Sequence, residues 1–118
     1  MTKERVTLYH YPLCPFSRKV RLCLFEKGVE HALQFEKPWE RRIDFLKLNP
    51  AGEVPVLVDV DGTVLSAHQA ICEYLNETRL GMDLLGDNPV FRAEVRRLMA
   101  WIRCFIKRCM KRWSMKSF

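Results

Sequence analysis

A proline stands between two valines in the segment Val54-Pro55-Val56-Leu57-Val58, which otherwise has the composition of a buried strand. Proline lacks the N–H group that a central strand needs for its ladder of hydrogen bonds. The segment is still compatible with a strand if the Val54–Pro55 bond is cis and the strand begins there, because X-Pro bonds adopt the cis form at a modest cost. This arrangement leaves the main-chain N–H and C=O of Val54 unpaired at the edge of the strand.

A second segment, Cys14-Pro15-Phe16-Ser17, begins a helical pattern. Pro15 suits the first helical position, where an N–H group has no partner in any case. Apolar residues recur on one face up to Leu24, and Gly28 is a natural stop. Cys14 therefore lies at the N-terminus of a helix, where unpaired N–H groups and the positive end of the dipole favour a thiolate. A thiolate is a good nucleophile.

The remaining pattern predicts a mixed sheet. Strands are predicted over 6–9, 31–35, 54–58 and 63–65, and helices over 15–27, 37–48, 66–78 and from 89 onward. Ser66 and Asn88 are expected to cap the last two helices. The first crossover predicts a parallel pair, and the Asp61-Gly62 turn predicts an antiparallel hairpin. We therefore predict an α/β fold with a four-stranded sheet, in the order β-α-β-α-β-β-α, followed by a C-terminal helix.

The net charge of +6 is unevenly distributed. Residues 89–118 hold nine Lys/Arg and a single acid, Glu94, whereas residues 1–88 hold eleven Lys/Arg and thirteen acids. The chain is thus a near-neutral body followed by a basic segment. Such a run of charge is usually a solvated face, and no motif for specific nucleic-acid binding accompanies it. No apolar run approaches the roughly 18 residues of a membrane span, and no apolar stretch of a secretory signal follows the first residues.

The five cysteines do not form a CxxC pair, and no His/Cys spacing resembles a zinc site, so no metal is expected. Free thiols suit a reducing cytosol, so the expected location is cytoplasmic. Cys23 and Cys72 fall on apolar helical faces, where packing in the core is the expected role.

The order of elements, together with four segments, resembles the N-terminal domain of cytosolic glutathione S-transferases. The segments are LYHYPLCPFSRKVRLCL at 8–24, WERRIDFLKLNPAGEVPVLVD at 39–59, DGTVL at 61–65 and AICEYL at 70–75. The resemblance covers about residues 5–80 and includes bacterial members, one branch of which contains a cell-division factor that binds the tubulin-like ring protein. It implies a thioredoxin-like domain at 1–80 that holds glutathione. Residues 81–118 would then be a linker and a truncated part of the helical domain that normally binds the second substrate.

The resemblance implies thiol chemistry at Cys14, because cysteine-type members of the family carry their thiol at this place. Ser17 occupies the fourth position of the motif, so a Cys14–glutathione disulfide would need a second glutathione to release it. A hydroxyl-type site remains open, since Tyr9, Tyr11 and Ser17 lie nearby in sequence. A third interpretation is that Cys14 is a small apolar residue without chemistry.

For glutathione itself, the resemblance implies that the main chain of Val54, before a cis-Pro55, binds the cysteinyl part as an added strand does. The glycine carboxylate needs a cation, which Arg41, Arg42 or the nearby Lys37 would supply. The family usually has Glu-Ser at the start of the helix after the hairpin, but this sequence has Ala67-His68. One charged contact to the γ-glutamyl end is therefore lost, which predicts weak binding of glutathione or none.

Two classes of function follow. The first is a glutathione-dependent enzyme that conjugates or transfers thiols through Cys14, with a small electrophile or a disulfide as second substrate. The alternative is a non-catalytic interaction protein that keeps the fold and has lost glutathione, and a degraded fragment without function is a third interpretation. The last helix, with its apolar stripe, has three interpretations. It is the remainder of a truncated helical domain, it mediates formation of a homodimer, or it is a basic amphipathic segment that binds a membrane surface or an acidic partner.

Overall fold

A computed structural model describes residues 5–81 and 83–117 of the chain, with side chains described as far as residue 109. The chain divides between residues 82 and 83 into two compact units. The first unit holds the sheet, and the second holds one long helix.

The first unit contains a four-stranded sheet with helices. Its elements are β1 (Val6–His10), α1 (Pro15–Glu26), β2 (His31–Phe35), a 3-10 turn (Pro38–Glu40), α2 (Ile43–Leu48), β3 (Val56–Val58), β4 (Val64–Ser66) and α3 (His68–Thr78). The strand order is β2-β1-β3-β4. β1 and β2 are parallel, whereas β3 is antiparallel to both β1 and β4. The predicted thioredoxin-like mixed sheet is confirmed.

Alternation along the strands builds a core on each face of the sheet. Leu8 lies opposite Leu57 in the β1–β3 register, and both side chains are fully buried. Their face packs against the apolar stripes of α1 and α3, in one cluster with Val6, Val20, Leu24, Ile71, Cys72 and Leu75. On the other face, the ring of Tyr9 stacks on the buried Phe45 of α2, with 6.0 Å between ring centroids. Each buried aliphatic or aromatic side chain contributes about 1.5–3 kcal/mol to this packing.

Helix α1 begins and ends where the sequence predicts. Pro15 is its first residue, and Gly28 follows its C-cap with a φ of +63°. The Gly28 N–H donates to the Phe25 carbonyl and the Val29 N–H donates to the Leu24 carbonyl, each at 3.0 Å. Glycine suits this left-handed position, and the two bonds satisfy carbonyls that the helix end would otherwise leave free.

Three predicted boundaries were wrong. Ser66 is the last residue of β4 and pairs with Val56, so it cannot cap α3, and Ala67 is the N-cap instead. β3 begins at Val56 rather than residue 54, because Pro55 has no N–H for the ladder. The region 37–48 is two elements, since Arg41 adopts a left-handed φ of 48° between the 3-10 turn and α2.

The second unit is dominated by α4 (Pro89–Ser117). The predicted cap is confirmed, because the Asn88 side-chain oxygen accepts a hydrogen bond from the Val90 N–H at 2.8 Å. Several large apolar side chains of this helix are exposed, namely Val90, Phe91, Leu98, Trp101, Ile102 and Phe105. Among the described helices, none combines the length and the apolar character that crossing a membrane requires.

Candidate functional site

Cys14 is the N-cap residue of α1. Its main chain is extended, with φ −78° and ψ 119°, and its carbonyl accepts the Arg18 N–H at 3.1 Å. The side chain is half-buried and takes no part in capping the helix. Within the described residues, no hydrogen bond to its sulfur is present. The thiol is thus free to meet a ligand at the positive end of the helix.

Ser17 supports the loop that carries Cys14. Its side chain is fully buried, and its Oγ accepts a hydrogen bond from the Tyr11 N–H at 3.4 Å. The Tyr11 carbonyl in turn accepts the Cys14 N–H at 2.9 Å. Both main-chain groups of Tyr11 are therefore bound to the start of α1, and the Ser17 hydroxyl points inward.

Aromatic rings surround the Tyr11 side of this loop. The Tyr11 ring meets Trp39 edge-on with 5.0 Å between ring centroids, and it meets Phe35 at 5.6 Å. Trp39 remains 52% exposed and Phe35 48% exposed. The half-exposed rings form an apolar wall beside the thiol loop, of the kind that lines sites for small organic ligands.

Val54 lies at the same edge of the sheet as the thiol loop. The Val54–Pro55 peptide bond is cis. Because Tyr9 pairs with Val56 in the antiparallel β1–β3 register, the residues that follow β1 and those that precede β3 leave the sheet together. In the described part of the chain, no hydrogen bond to the main-chain N–H or C=O of Val54 is present. These groups are available to an extended ligand.

The loop before Val54 is held by a buried asparagine. The Asn49 Nδ2 donates to the Glu53 carbonyl at 2.9 Å, and its Oδ1 accepts the Ala51 N–H at 3.2 Å. The sequence pattern alone predicts only a turn over this stretch. The Asn-Pro pair at 49–50 is the signal from which this role could have been inferred, because Asn side chains commonly bond to main-chain groups two residues on.

The two candidate cations differ in their partners. Arg42 binds the buried Glu36, with 3.3 Å between Nε and Oε2 and a second bond from Nη2 to Oε1. The Arg41 guanidinium lies against Gly52, so close that a methyl group added to the glycine Cα would be 3.4 Å from Nη1. No acid among the described residues pairs with Arg41. Arg41 is therefore the cation that is available next to the Val54 loop.

The start of α3 lies against the start of α1. The imidazole of His68 stacks on the Phe16 ring, and its Nδ1 lies 3.2 Å from the Lys19 Nζ. Ala67 precedes it with φ 75° and ψ 118°, a conformation that residues with a side chain rarely adopt. Non-glycine residues held this way often occur at ligand sites. The structure thus brings Cys14, Ala67 and His68 to neighbouring helix starts.

No metal site accompanies this arrangement: the described residues contain no group of three or more His, Cys, Asp or Glu side chains that could hold an ion.

Comparisons with known proteins decide the family. The sequence profile described as "Glutathione S-transferase, N-terminal domain" matches residues 13–78, which is more than half of the chain. The chain belongs to the glutathione S-transferase family.

Two relatives are similar to this chain over most of its length. It is 43% identical over 104 residues to "FtsZ-localized protein A" of Caulobacter vibrioides, covering 86% of this chain and 45% of that protein. A crystal structure of a glutathione S-transferase from Rhodospirillum rubrum is 47% identical, with a TM-score of 0.84, covering 87% of this chain and 46% of that one. The chain spans about half the length of the relatives it matches.

A third relative has been crystallised with glutathione. The crystal structure of a glutathione S-transferase from Methylobacillus flagellatus with glutathione bound is 26% identical, with a TM-score of 0.69, covering 78% of this chain and 46% of that one. Glutathione binding therefore occurs in the family to which this chain belongs.

Proposed function

We propose that this chain carries a glutathione-binding domain in which Cys14 mediates thiol transfer or conjugation. The observation that carries the proposal is the position of the Cys14 thiol, at the start of α1 and at the same sheet edge as the free main-chain groups of Val54. A thiol nucleophile next to main-chain groups that can pair with an extended peptide fits glutathione, which is a tripeptide that carries a thiol.

Main-chain and basic groups would hold the tripeptide. The N–H and C=O of Val54 would pair with its cysteinyl residue, as in the addition of a strand. Arg41, which lacks an acidic partner among the described residues, would bind the glycine carboxylate. The first N–H groups of α3 and the His68 ring would bind the γ-glutamyl carboxylate. The γ-glutamyl ammonium finds no acid at positions 67–68, so binding is expected to be weak.

The thiol-transfer reaction would proceed in two displacements. The Cys14 thiolate attacks the glutathione sulfur of a mixed disulfide, a Cys14–glutathione disulfide forms, and the other sulfur leaves as a thiolate. A second glutathione thiolate then attacks this disulfide, releases oxidised glutathione and restores Cys14. Ser17 acts as a positioning residue, because its buried Oγ fixes the loop that carries Cys14.

The proposal is tested by detecting its covalent intermediate, the disulfide between Cys14 and glutathione. The purified chain is treated with oxidised glutathione, and peptide mass mapping locates any added glutathione. The proposal expects the adduct at Cys14, its loss in Cys14→Ser, and its persistence in the matched control Cys104→Ser, which removes an exposed thiol of α4. An adduct that forms only at Cys104 and Cys109 would contradict the proposal.

A second candidate is an interaction protein that has kept the fold and lost glutathione. It is favoured by the 43% identity to FtsZ-localized protein A and by Ala67-His68 in place of Glu-Ser. Co-sedimentation with purified FtsZ polymers separates the two: an interaction protein keeps this binding in Cys14→Ser, and an enzyme shows turnover that depends on Cys14.

The proposal extends to the second substrate, the oligomeric state and the cellular location. A small electrophile or a disulfide is the second substrate, and the exposed apolar side chains of α4 provide a surface for a homodimer. Free thiols at all five cysteines suit a reducing cytoplasm.

A further inference from the structure

A second pair of thiols joins the two helices on one face of the sheet. Cys23 lies in α1 and Cys72 lies in α3, and their sulfur atoms are 3.0 Å apart in a hydrogen bond. Cys72 belongs to the buried core with only 5% of its surface exposed, whereas Cys23 is half-buried. The expected packing role is confirmed for both residues, but two thiols in contact also have a shared redox chemistry.

The surroundings make the two thiols unequal. The hydrogen bond with Cys72 lowers the pKa of Cys23 against the opposing effect of burial, and the nearby Lys19 ammonium lowers it further. The same hydrogen bond, together with burial, raises the pKa of Cys72. Cys23 is therefore the thiol that ionises first, and it is also the more accessible of the two. An oxidant from solution would react first with the Cys23 thiolate. The Cys72 thiol, in contact with Cys23, would then complete the disulfide.

We propose that Cys23 and Cys72 are an oxidation site at which a hydroperoxide forms an intramolecular disulfide between α1 and α3. The Cys23 thiolate attacks one oxygen of hydrogen peroxide, the O–O bond breaks, and a sulfenic acid and hydroxide form. The Cys72 sulfur then attacks the Cys23 sulfur, loses its proton and displaces the hydroxyl group as water. Two thiols and one peroxide thus become one disulfide and two waters, with two electrons passing from sulfur to oxygen.

The geometry requires little movement. A disulfide has a sulfur–sulfur distance of about 2.05 Å, so the two atoms must approach each other by about 1 Å. Burial of Cys72 keeps bulky thiols in solution away from it, so closure within the chain is favoured over a disulfide between molecules.

The link would constrain the candidate site without using its residues. It joins positions 49 residues apart, and the loop that it closes contains Arg41 and Val54. One linked helix, α1, begins directly after Cys14, and the other, α3, begins at His68, both next to the proposed ligand. Closing a long loop stabilises a fold mainly by restricting the unfolded chain, so oxidation is expected to raise the melting temperature.

The test uses the full chain in two forms. One form keeps all five cysteines, and the other carries Cys14→Ser, Cys104→Ser and Cys109→Ser, so that only the pair remains. Each is treated with hydrogen peroxide, alkylated under denaturing conditions and digested for mass mapping. The proposal expects a cross-linked peptide that contains Cys23 and Cys72, a loss of two hydrogen atoms, and a higher melting temperature that a reductant reverses. Cys23→Ser and Cys72→Ser should each abolish all three signals.

Three outcomes would overturn the proposal. In the first, the Cys23 and Cys72 thiols stay reduced in the native chain while Cys14 is oxidised. In the second, Cys23 is oxidised to a sulfinic acid without a cross-link. In the third, disulfides form only between molecules. If the triple variant fails to melt cooperatively, the mapping of the native chain still decides, because the cross-link is identified by its peptides. None of these readouts involves glutathione, so failure here and failure of the proposed function are distinguishable.

Discussion

The Phe16 ring lies flat against the His68 imidazole, with 4.3 Å between the ring centroids and 12° between the planes. This contact joins the first turn of α1 to the first residue of α3. Lys19 strengthens the junction, because its Nζ lies 3.2 Å from the His68 Nδ1. The two helix starts that flank the proposed glutathione site are therefore held together by side chains. A substitution at position 67 should leave the relative position of these two helix starts unchanged.

Restoring an acid at this junction should strengthen glutathione binding. Ala67→Glu places a carboxylate where the family usually has one, and a charged hydrogen bond to the γ-glutamyl ammonium should raise the affinity by about 10-fold or more. Ala67→Gln is the matched control, with nearly the same size and no charge. The affinities are measured by calorimetric titration with reduced glutathione, and equal affinities for the two variants would remove the charge argument.

The backbone at Ala67 should make glycine the better residue there. Its φ of 75° with ψ 118° is unfavourable for any residue with a side chain, at a cost on the order of 1–3 kcal/mol. Ala67→Gly should therefore raise the free energy of unfolding by about 1 kcal/mol. The control is Ala70→Gly, an exposed position inside α3, which should lower that free energy by about 1 kcal/mol. Urea denaturation measures both, and a loss of stability in Ala67→Gly would argue against strain.

A buried carboxylate should tie the hairpin to α3. Asp59 accepts a hydrogen bond from the Tyr74 hydroxyl and an ion-paired bond from Arg79 at 2.8 Å. Burial raises the pKa of Asp59, but these two donors and the Val60 N–H outweigh it and hold the pKa below its usual value. Asp59→Asn should lower the free energy of unfolding at pH 7 by about 2–3 kcal/mol, because a charged acceptor is lost.

The pH dependence of this effect has a fixed sign. Since the folded-state pKa of Asp59 is depressed, its contribution to stability is present above the unfolded pKa and is lost as pH falls through the folded pKa. The difference between wild type and Asp59→Asn should therefore shrink as the pH falls below the unfolded pKa of about 3.9 in urea denaturation. Asp61→Asn, at an exposed position of the same hairpin, is the control and should cost less. A difference that is constant with pH would contradict the assignment.

His10 should make the fold sensitive to mild acid. Its side chain is buried, and its Nδ1 has no hydrogen-bond partner among the described residues. Burial, then the charges of Arg21 and His31, lower its pKa. A depressed histidine pKa stabilises the fold above the unfolded pKa of about 6.5, and this stability is lost as pH falls below that value. The melting temperature should drop between about pH 7.5 and 5.

A variant of a neighbouring charge tests the cause of that shift. Arg21→Ala removes one positive charge that lowers the pKa of His10, so the His10 pKa should rise in an NMR titration. Arg18→Ala, an exposed arginine of the same helix, is the matched control and should leave the titration of His10 unchanged. Equal titration curves in both variants would show that Arg21 does not contribute.

Local chemistry explains which parts of the fold were predictable. The proline before β3, the Asp61-Gly62 turn and the Gly28 stop each constrain the backbone on their own, so the order of elements along the chain and the position of α1 follow from the sequence, whereas the strand order within the sheet comes from the structure. The start of α3 does not, because Ser66 is a good cap by composition and only its pairing with Val56 excludes that role.

The candidate site was predictable only in part, because its details depend on contacts distant in sequence. That Arg42 is bound to Glu36 while Arg41 remains available requires knowing that Glu36 is buried. The contact between Cys23 and Cys72 arises from the packing of α1 on α3, which no local pattern encodes.

The central claim is that the edge at Val54 and the thiol at Cys14 together hold glutathione. The most direct measurement is a calorimetric titration of the full chain with reduced glutathione, alongside Arg41→Ala and the control Lys47→Ala at an exposed position of α2. We predict saturable heat with a Kd on the order of 10 μM to 1 mM, weakened by Arg41→Ala and unchanged by Lys47→Ala. No heat from a chain that melts cooperatively would contradict the account and leave the interaction protein as the remaining function.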